Sequence, residues 1–250
     1  MKRYSVGIIG YGDFTKLMIE WLSPYADIVV SSRQHNQGDA GFGATFAPLE
    51  TVLARPIIIP SIPSQFFESF FTDNASLINP NALVVDVCSV KVKPLEILAR
   101  LLPSTNSIIG THPMFGPASV RKNGGISGLK CVVCPVRASS ETVASFTAFL
   151  DADLHLRVIR KTPDQHDMEM AHIQGLSHYI GRTMDIMNIP DTELATLAYD
   201  DLVDMKNIQG QDSWDLFLSI MKDNPYAHEV NKKFKQACID LDDKLQASAK

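Results

Sequence analysis

Hydrophobic and polar positions along this chain fall into two regimes. Up to about residue 150, short runs rich in Val and Ile at 6–9, 27–30, 57–59, 83–87, 108–109 and 132–133 alternate with amphipathic stretches at 14–22, 64–71, 92–101 and 140–150. Uninterrupted apolar runs of that length predict strands buried on both faces, and the stretches between them predict helices. Strand and helix in alternation predict a parallel sheet covered on both sides. After a last strand pattern at 155–159 the strands stop. Thr162-Pro163 predicts a helix start, with Thr as N-cap and Pro as the first helical residue. A long helical pattern then runs to about Met187. Pro190-Asp191 predicts a restart near 191–206, and 212–221 and 225–248 predict two further helices. The expectation is an α/β domain with a doubly wound parallel sheet over residues 1–160, followed by an all-α domain over 161–250.

Composition sharpens that division. The net charge of −5 splits into +2 over residues 1–150 and −7 over 151–250. Eleven of the 14 glycines lie in the first part, and six of the nine methionines lie in the last 100 residues. Several classes become poor fits. No run of 18 apolar residues occurs, so no membrane-spanning helix is expected. The opening MKRYSVGIIGYG lacks the long apolar region of a secretory signal, so a cytoplasmic location is expected. Mild acidity argues against a nucleic-acid partner. Four cysteines are too few for a disulfide scaffold. Cys131 and Cys134 fall in a strand pattern without a second ligand pair, so no metal site is expected. Trp214 and the cluster Phe66, Phe67, Phe70 and Phe71 read as core, and Lys232, Lys233 and Lys235 as a solvated helix face.

The glycines point to a ligand. Gly10-Tyr11-Gly12-Asp13-Phe14-Thr15 follows the first strand and opens the first helix. Gly10 suits the tight turn, and Gly12 lets the backbone approach a pyrophosphate at the helix N-terminus. Thr15 stands where a third glycine would complete the dinucleotide fingerprint, a place that serves helix–strand packing. The motif in this context predicts a Rossmann-type cofactor site, to which Ser61 and Pro63 after the strand 57–59 would also contribute. A carboxylate at the end of the second strand would bind the ribose 2′-OH of NAD. This strand instead ends Ser31-Ser32-Arg33, with no carboxylate before Asp39. Hydroxyls followed by a guanidinium suit a 2′-phosphate, which favours NADP over NAD.

Two further residues follow strand ends, where open α/β sheets bind their ligands. Ser89 lies past the strand 83–87. His112 lies past 108–109, in the stiff loop Thr111-His-Pro-Met-Phe-Gly-Pro117. An imidazole fixed there could accept a proton near neutral pH.

The segments 7–14, 86–91, 110–117 and 164–179 resemble the prephenate/arogenate dehydrogenase family of tyrosine biosynthesis, with Thr-His-Pro-Met-Phe-Gly-Pro the most specific of them. The Phe-Gly-Pro ending and Ser-Ser-Arg look like the plant-type, NADP-using arogenate enzymes. The stretch 166–178 looks like the bacterial prephenate enzymes. The resemblance implies oxidative decarboxylation of a cyclohexadiene substrate, prephenate or arogenate. In it His112 would take the hydroxyl proton, and Ser89 would bind the same hydroxyl or orient His112. It also implies a homodimer formed through the helical domain.

In that domain His166, Met170, Gln174, His178 and Arg182 recur every four residues. They form either a solvated polar stripe or, as the resemblance favours for Gln174 and His178, a substrate-binding face. The bacterial enzymes carry a carboxylate-binding arginine further on. The corresponding stretch here, 204–214, has none, and Lys206 or Arg182 would have to take its place. Two other classes share the architecture. One is a reductase of β-hydroxyacid dehydrogenase or imine reductase type, which leaves the Thr-His-Pro block unexplained. The other is a catalytically silent NADP sensor.

Overall fold

The structure is a computed structural model that describes residues 3–35 and 37–248. The chain divides into two compact units, Met1–Asp164 and Gln165–Lys250. The first is the expected α/β unit. Its strands are β1 (Tyr4–Ile9), β2 (Ala26–Ser31), β3 (Gly38–Gly41), β4 (Ala44–Phe46), β5 (Ile57–Pro60), β6 (Leu83–Asp86), β7 (Ser107–Pro113), β8 (Lys130–Arg137) and β9 (Arg157–Arg160). They form one sheet in the order β3-β4-β2-β1-β5-β6-β7-β8-β9. The connecting helices are α1 (Asp13–Leu22), α2 (Leu49–Leu53), α3 (Phe67–Asn74), α4 (Val92–Leu101), α5 (Pro117–Asn123) and α6 (Ser140–Ala148).

Neighbouring residues on the central strands serve opposite faces, which is why those strands read as unbroken apolar runs. Ile9, Ile58, Val84 and Ile108 pack with Val52 and Leu53 of α2, Phe67 and Phe71 of α3, and Leu95 and Leu98 of α4. Ile8, Ile59 and Val85 pack on the other face with Met18 and Ile19 of α1. Ile109, Cys131 and Val133 pack with Val143 of α6. Cys131 and Cys134 thus belong to different faces of β8, and burial pushes the Cys131 thiol up to about 12, so both act as small core residues.

The sheet is less uniformly parallel than the alternation predicts. β8 pairs antiparallel with β7, and β3 pairs antiparallel with β4. The β3–β4 hairpin was not foreseen, because Gly38-Asp-Ala-Gly carries almost no apolar signal. Its two-residue turn places Phe42 at φ 51° and Gly43 at φ 77°, the paired positive angles that match the strand twist. His112 also differs from expectation. It lies within β7 rather than in a loop beyond it, because pairing with β8 carries the strand on to Pro113, with His112 opposite Val132.

The second unit is all helical. α7 (Pro163–Met170), which starts at the unit boundary, continues through a wide turn at Ala171–Leu176, with backbone bonds spaced five residues apart, into α8 (Ser177–Ile186). Then follow α9 (Leu197–Gln211), α10 (Trp214–Asp223) and α11 (Ala227–Ser248). The α9 start is later than the Pro190-Asp191 signal implies. Thr196 caps it, its hydroxyl accepting from the Tyr199 N–H, and Ser213 caps α10 through Leu216. No helix among the described residues is long and apolar enough to cross a membrane.

Arg137, at the end of β8, caps the C-terminus of α4. Its guanidinium donates to the carbonyls of Ala99, Leu102, Pro103 and Asn106 at 2.8–3.2 Å. A cation there satisfies orphan carbonyls and faces the negative end of the helix dipole. Arg137→Met should cost about 2–3 kcal/mol and lower the melting temperature by about 5–10 °C. Calorimetry showing a shift of under one degree would remove this role.

Candidate active site

The carboxyl edge of the sheet is assembled around Gly10. This residue sits at φ 100°, and a Cβ there would lie 2.4 Å from the Ser61 carbonyl oxygen, so only glycine fits. Its N–H donates to Ser31 O, while the Ser61 N–H donates to Ile9 O, tying the ends of β1, β2 and β5 together. Thr15 is fully buried, and its hydroxyl donates to Ser61 Oγ at 2.8 Å. The residue that departs from the fingerprint therefore packs the helix and adds a polar tie. Gly12 is the N-cap of α1, with no side-chain cap, and nothing lies within 4 Å of where its Cβ would be. The first-turn N–H groups of α1 thus face open space at the crossover between β1 and β5, the arrangement that takes a pyrophosphate. Tyr11, Asp13 and Phe14 flank this turn, Asp13 pairing with Lys16 at 2.9 Å. Pro63 leads the segment after β5 into the short turn Ser64–Phe66. At the end of β2, Ser32 Oγ accepts from the Gln34 N–H, and Arg33 is exposed.

Two strands over, β6 and β7 pair with Asp86 beside Gly110. Ser89, just past β6, and His112, in the extended end of β7, therefore lie at the same edge as the glycine turn. His112 is only 4% exposed and pairs with Val132 of β8, two residues beyond Gly110, where the pairing with β6 ends. A network that sequence reasoning missed secures the two. Asp86 and Lys91 form an ion pair with both side chains fully buried. Lys91 Nζ also donates to Thr111 O at 2.7 Å, and Thr111 Oγ1 donates to Asp86 O at 2.8 Å. The Cys88 N–H donates to the second oxygen of the Asp86 carboxylate at 3.0 Å. Ser89 thus sits in a loop closed at both ends by the ion pair, and His112 directly follows the residue whose carbonyl receives the ammonium. A lysine in a Ser-Val-Lys stretch looks like a surface residue, so only the fold reveals it.

In the helical unit the four-residue stripe does not persist as drawn. The wide turn inserts an extra residue, and the buried positions run Met170, Ala171, Gly175, His178, Gly181 and Met184, with Ile173 exposed. His178 is 3% exposed, and Gln174 and Arg182 are partly buried, so these residues are not a solvated face. Gly181 lets α9 approach, since a Cβ there would meet Gln209 Cγ at 2.7 Å. Around His178 gather Arg182, Asp212 and Trp214. Arg182 donates to the backbone carbonyl of Asp212 and lies 5.8 Å above the rings of Trp214 and Phe217. Trp214 is 59% exposed and is not core. Lys206 is engaged elsewhere: its ammonium donates to Ile189 O, three residues past the end of α8, at 3.0 Å.

Burial, reinforced by the Arg182 charge, pushes the His178 imidazole down to about 4. It is neutral at pH 7, so its 3.6 Å approach to Asp212 Oδ2 is neither an ion pair nor a hydrogen bond of useful length. Burial also raises the Asp212 carboxyl against the pull of Arg182. The Asp212 carboxylate accepts no hydrogen bond among the described residues, and Nδ1 of His178, Oε1 of Gln174 and Nε of Arg182 are buried without one. Buried polar atoms left unsatisfied are costly unless a ligand completes them.

The chain is similar to known proteins. Residues 27–152 match the family model for the prephenate dehydrogenase nucleotide-binding domain. The chain belongs to the prephenate dehydrogenase family. Residues 183–250 match the TYRAAT1-like C-terminal domain. Arogenate dehydrogenase 1, chloroplastic, of Arabidopsis thaliana is 29% identical over 93% of this chain, which spans 38% of that protein's length. Arogenate dehydrogenase 2, chloroplastic, of the same plant is 24% identical over 93% of the chain and 67% of its own length. Prephenate dehydrogenase from A. aeolicus, solved with hydroxyphenyl propionate and NAD+, superposes with a TM-score of 0.74 at 17% identity, covering 100% of this chain and 93% of that one. Synechocystis arogenate dehydrogenase superposes with a TM-score of 0.71 at 18% identity, covering 98% and 92%. At those identities the two structures show the shared fold.

The depressed imidazole has a measurable consequence. The folded state prefers neutral His178, so its stability is intact above the unfolded value of 6.5 and declines as pH falls toward about 4. The decline attributable to this group is about 3 kcal/mol at most. Denaturant titrations at pH 7 and pH 4.5 should show a smaller difference for His178→Gln than for the wild type. An equal difference in the two proteins would assign the proton uptake to other groups.

Proposed function

We propose that this family member is an NADP-dependent oxidoreductase that converts arogenate, in preference to prephenate, by oxidative decarboxylation in tyrosine biosynthesis. The observation that carries the reaction class is the common edge: an open α1 N-terminus at Gly12, with Ser89 after β6 and the buried His112 in β7 two and three strands away along the same carboxyl edge of the sheet. The dinucleotide fits that edge, since Gly12 leaves space over the helix N-terminus and no side chain occupies its cap. Gly10, Tyr11, Gly12, Asp13, Phe14, Ser61 and Pro63 would hold it, with Ser31, Ser32 and Arg33 at its adenosine end. When bound, the cofactor accepts the hydride from the ring carbon that carries the hydroxyl.

His112 takes the hydroxyl proton at an imidazole nitrogen as that carbon becomes a carbonyl-like centre and carbon dioxide leaves the ring. Loss of the ring carboxylate makes the product aromatic, so no metal is needed to drive the step. Ser89 donates to the same hydroxyl or holds His112 in line. The Asp86–Lys91–Thr111 network keeps both in place, so little reorganisation accompanies the proton transfer.

Asp212 supports the choice of arogenate. Its carboxylate accepts no hydrogen bond among the described residues and lies beside His178 and Arg182. Arogenate brings an α-ammonium that would pair with Asp212 and an α-carboxylate suited to Arg182. Prephenate brings a keto acid, whose anion Asp212 would repel. The plant relatives named arogenate dehydrogenases agree with this reading. Neutral His178 and Gln174 would serve as hydrogen-bond partners rather than charges, and Lys206, held by Ile189, contributes to the fold of α8 and α9.

We further infer a homodimer through the helical unit. Ile186, Leu194 and Leu197 are 84–86% exposed, and Ile239, Leu241 and Leu245 of α11 are also open to solvent. Exposed apolar residues in such number mark an association surface.

Steady-state assays with both substrates and both cofactors test the reaction. His112→Asn should lower kcat by about 10²–10⁴ while NADP affinity stays within about twofold. Asp212→Asn should shift kcat/KM toward prephenate by about tenfold or more, since it replaces an ion pair with a neutral contact. A wild type inactive on both cyclohexadienes would remove the proposal, and unchanged selectivity in Asp212→Asn would remove its substrate assignment. Light scattering should give twice the chain mass; a monomer at micromolar concentration would remove the dimer.

A further inference from the structure

The end of β2 holds more chemistry than Arg33. His35 lies four residues past Ser31, and its imidazole stacks on Phe46 of β4, with centroids 4.8 Å apart and planes 27° apart. Tyr11 of the glycine turn meets both rings edge-on, 5.9 Å from His35 and 4.8 Å from Phe46. Its hydroxyl donates to Ala40 O in β3. The glycine turn, the loop after β2 and the β3–β4 hairpin therefore fix one exposed imidazole. Phe46 pairs with Val30, so the imidazole stands one strand outward from Ser31, at the same carboxyl edge.

This is where the outer ribose of a dinucleotide lies when its pyrophosphate sits on the glycine turn. Ser32, Arg33 and His35 bring a hydroxyl, a guanidinium and an imidazole within four residues, with no carboxylate between Asp27 and Asp39. Arg33 and His35 are exposed, and neither makes a hydrogen bond or ion pair among the described residues. Stacking alone would account for a packing role. It does not account for two idle donor groups side by side at this position.

We propose that His35 is a second specificity-determining residue, donating an imidazole N–H to the 2′-phosphate of an adenine dinucleotide alongside Arg33. The proposal rests on the NADP reading and deepens it. An imidazole keeps at least one N–H donor in either protonation state. The stack on Phe46 holds the ring in advance, so less side-chain freedom is lost when the ligand binds. The bond to a phosphate oxygen is charge-assisted, whereas the 2′-hydroxyl of NAD offers only a neutral acceptor.

Calorimetric titration of the full chain with adenosine 2′,5′-bisphosphate and with adenosine 5′-monophosphate tests this. His35→Ala should weaken the bisphosphate about tenfold and leave the monophosphate within about twofold. His35→Lys, which restores a donor, should recover part of the loss. Equal weakening of both ligands would make the imidazole a platform for the adenine and overturn the proposal, as would no weakening of either. A wild type that binds the two ligands equally would instead remove the NADP reading beneath it.

Discussion

A charge pair sealed from water organises the chemical end of this protein. Asp86 and Lys91 are both fully buried where β6 ends beside β7. Taking two charges out of water costs several kcal/mol per ion, and removing one partner strands the other's charge. The surroundings therefore supply what water would have: the Cys88 N–H for the carboxylate and the Thr111 carbonyl for the ammonium. Each of those bonds fixes backbone next to a residue proposed to act in the reaction. The loop carrying Ser89 cannot open without breaking the pair, and the strand carrying His112 cannot slide without losing the ammonium's second acceptor. Precision at the proposed site and the electrostatic solvency of the core are the same requirement.

Much of the first unit was legible because its signals are local. Uninterrupted Val and Ile runs mark strands that serve two faces, as Ile8 and Ile9 do, and a glycine pair between strand and helix marks a turn whose geometry excludes a side chain at Gly10. What escaped depends on partners distant in the chain. The β3–β4 hairpin has too few apolar residues to announce itself. The extension of β7 to Pro113 exists only because β8 pairs with it. Lys91 is indistinguishable from a surface lysine until its burial is known. Trp214 looks like core from composition, yet its face carries Arg182.

The helical unit shows why spacing alone misleads over a long helix. A stripe drawn at intervals of four assumes one screw throughout, and the wide turn at Ala171–Leu176 breaks it. Gln174 falls within the break, so its orientation is set by the turn and not by its distance from Met170. The charge of −7 over residues 151–250 by itself indicates no site for an anionic ligand. Locally, the balance resolves into a neutral imidazole, a guanidinium held by stacking and a main-chain carbonyl, and one carboxylate that accepts no hydrogen bond among the described residues. Net charge described the surface of the unit and not this cluster.

The connection from β2 to β4 passes through a short hairpin with no helix of its own. Ser32, Arg33, Gln34 and His35 are consequently followed by no helix that would cover them, and Arg33, Gln34 and His35 are exposed. Substitutions in that loop can alter what the sheet edge recognises without a matching repair in the core. Of all the positions that would meet the dinucleotide, these are the ones free to drift, so a lineage could exchange one nicotinamide cofactor for the other through a few neutral steps while the reaction centre, four strands away, stays unchanged.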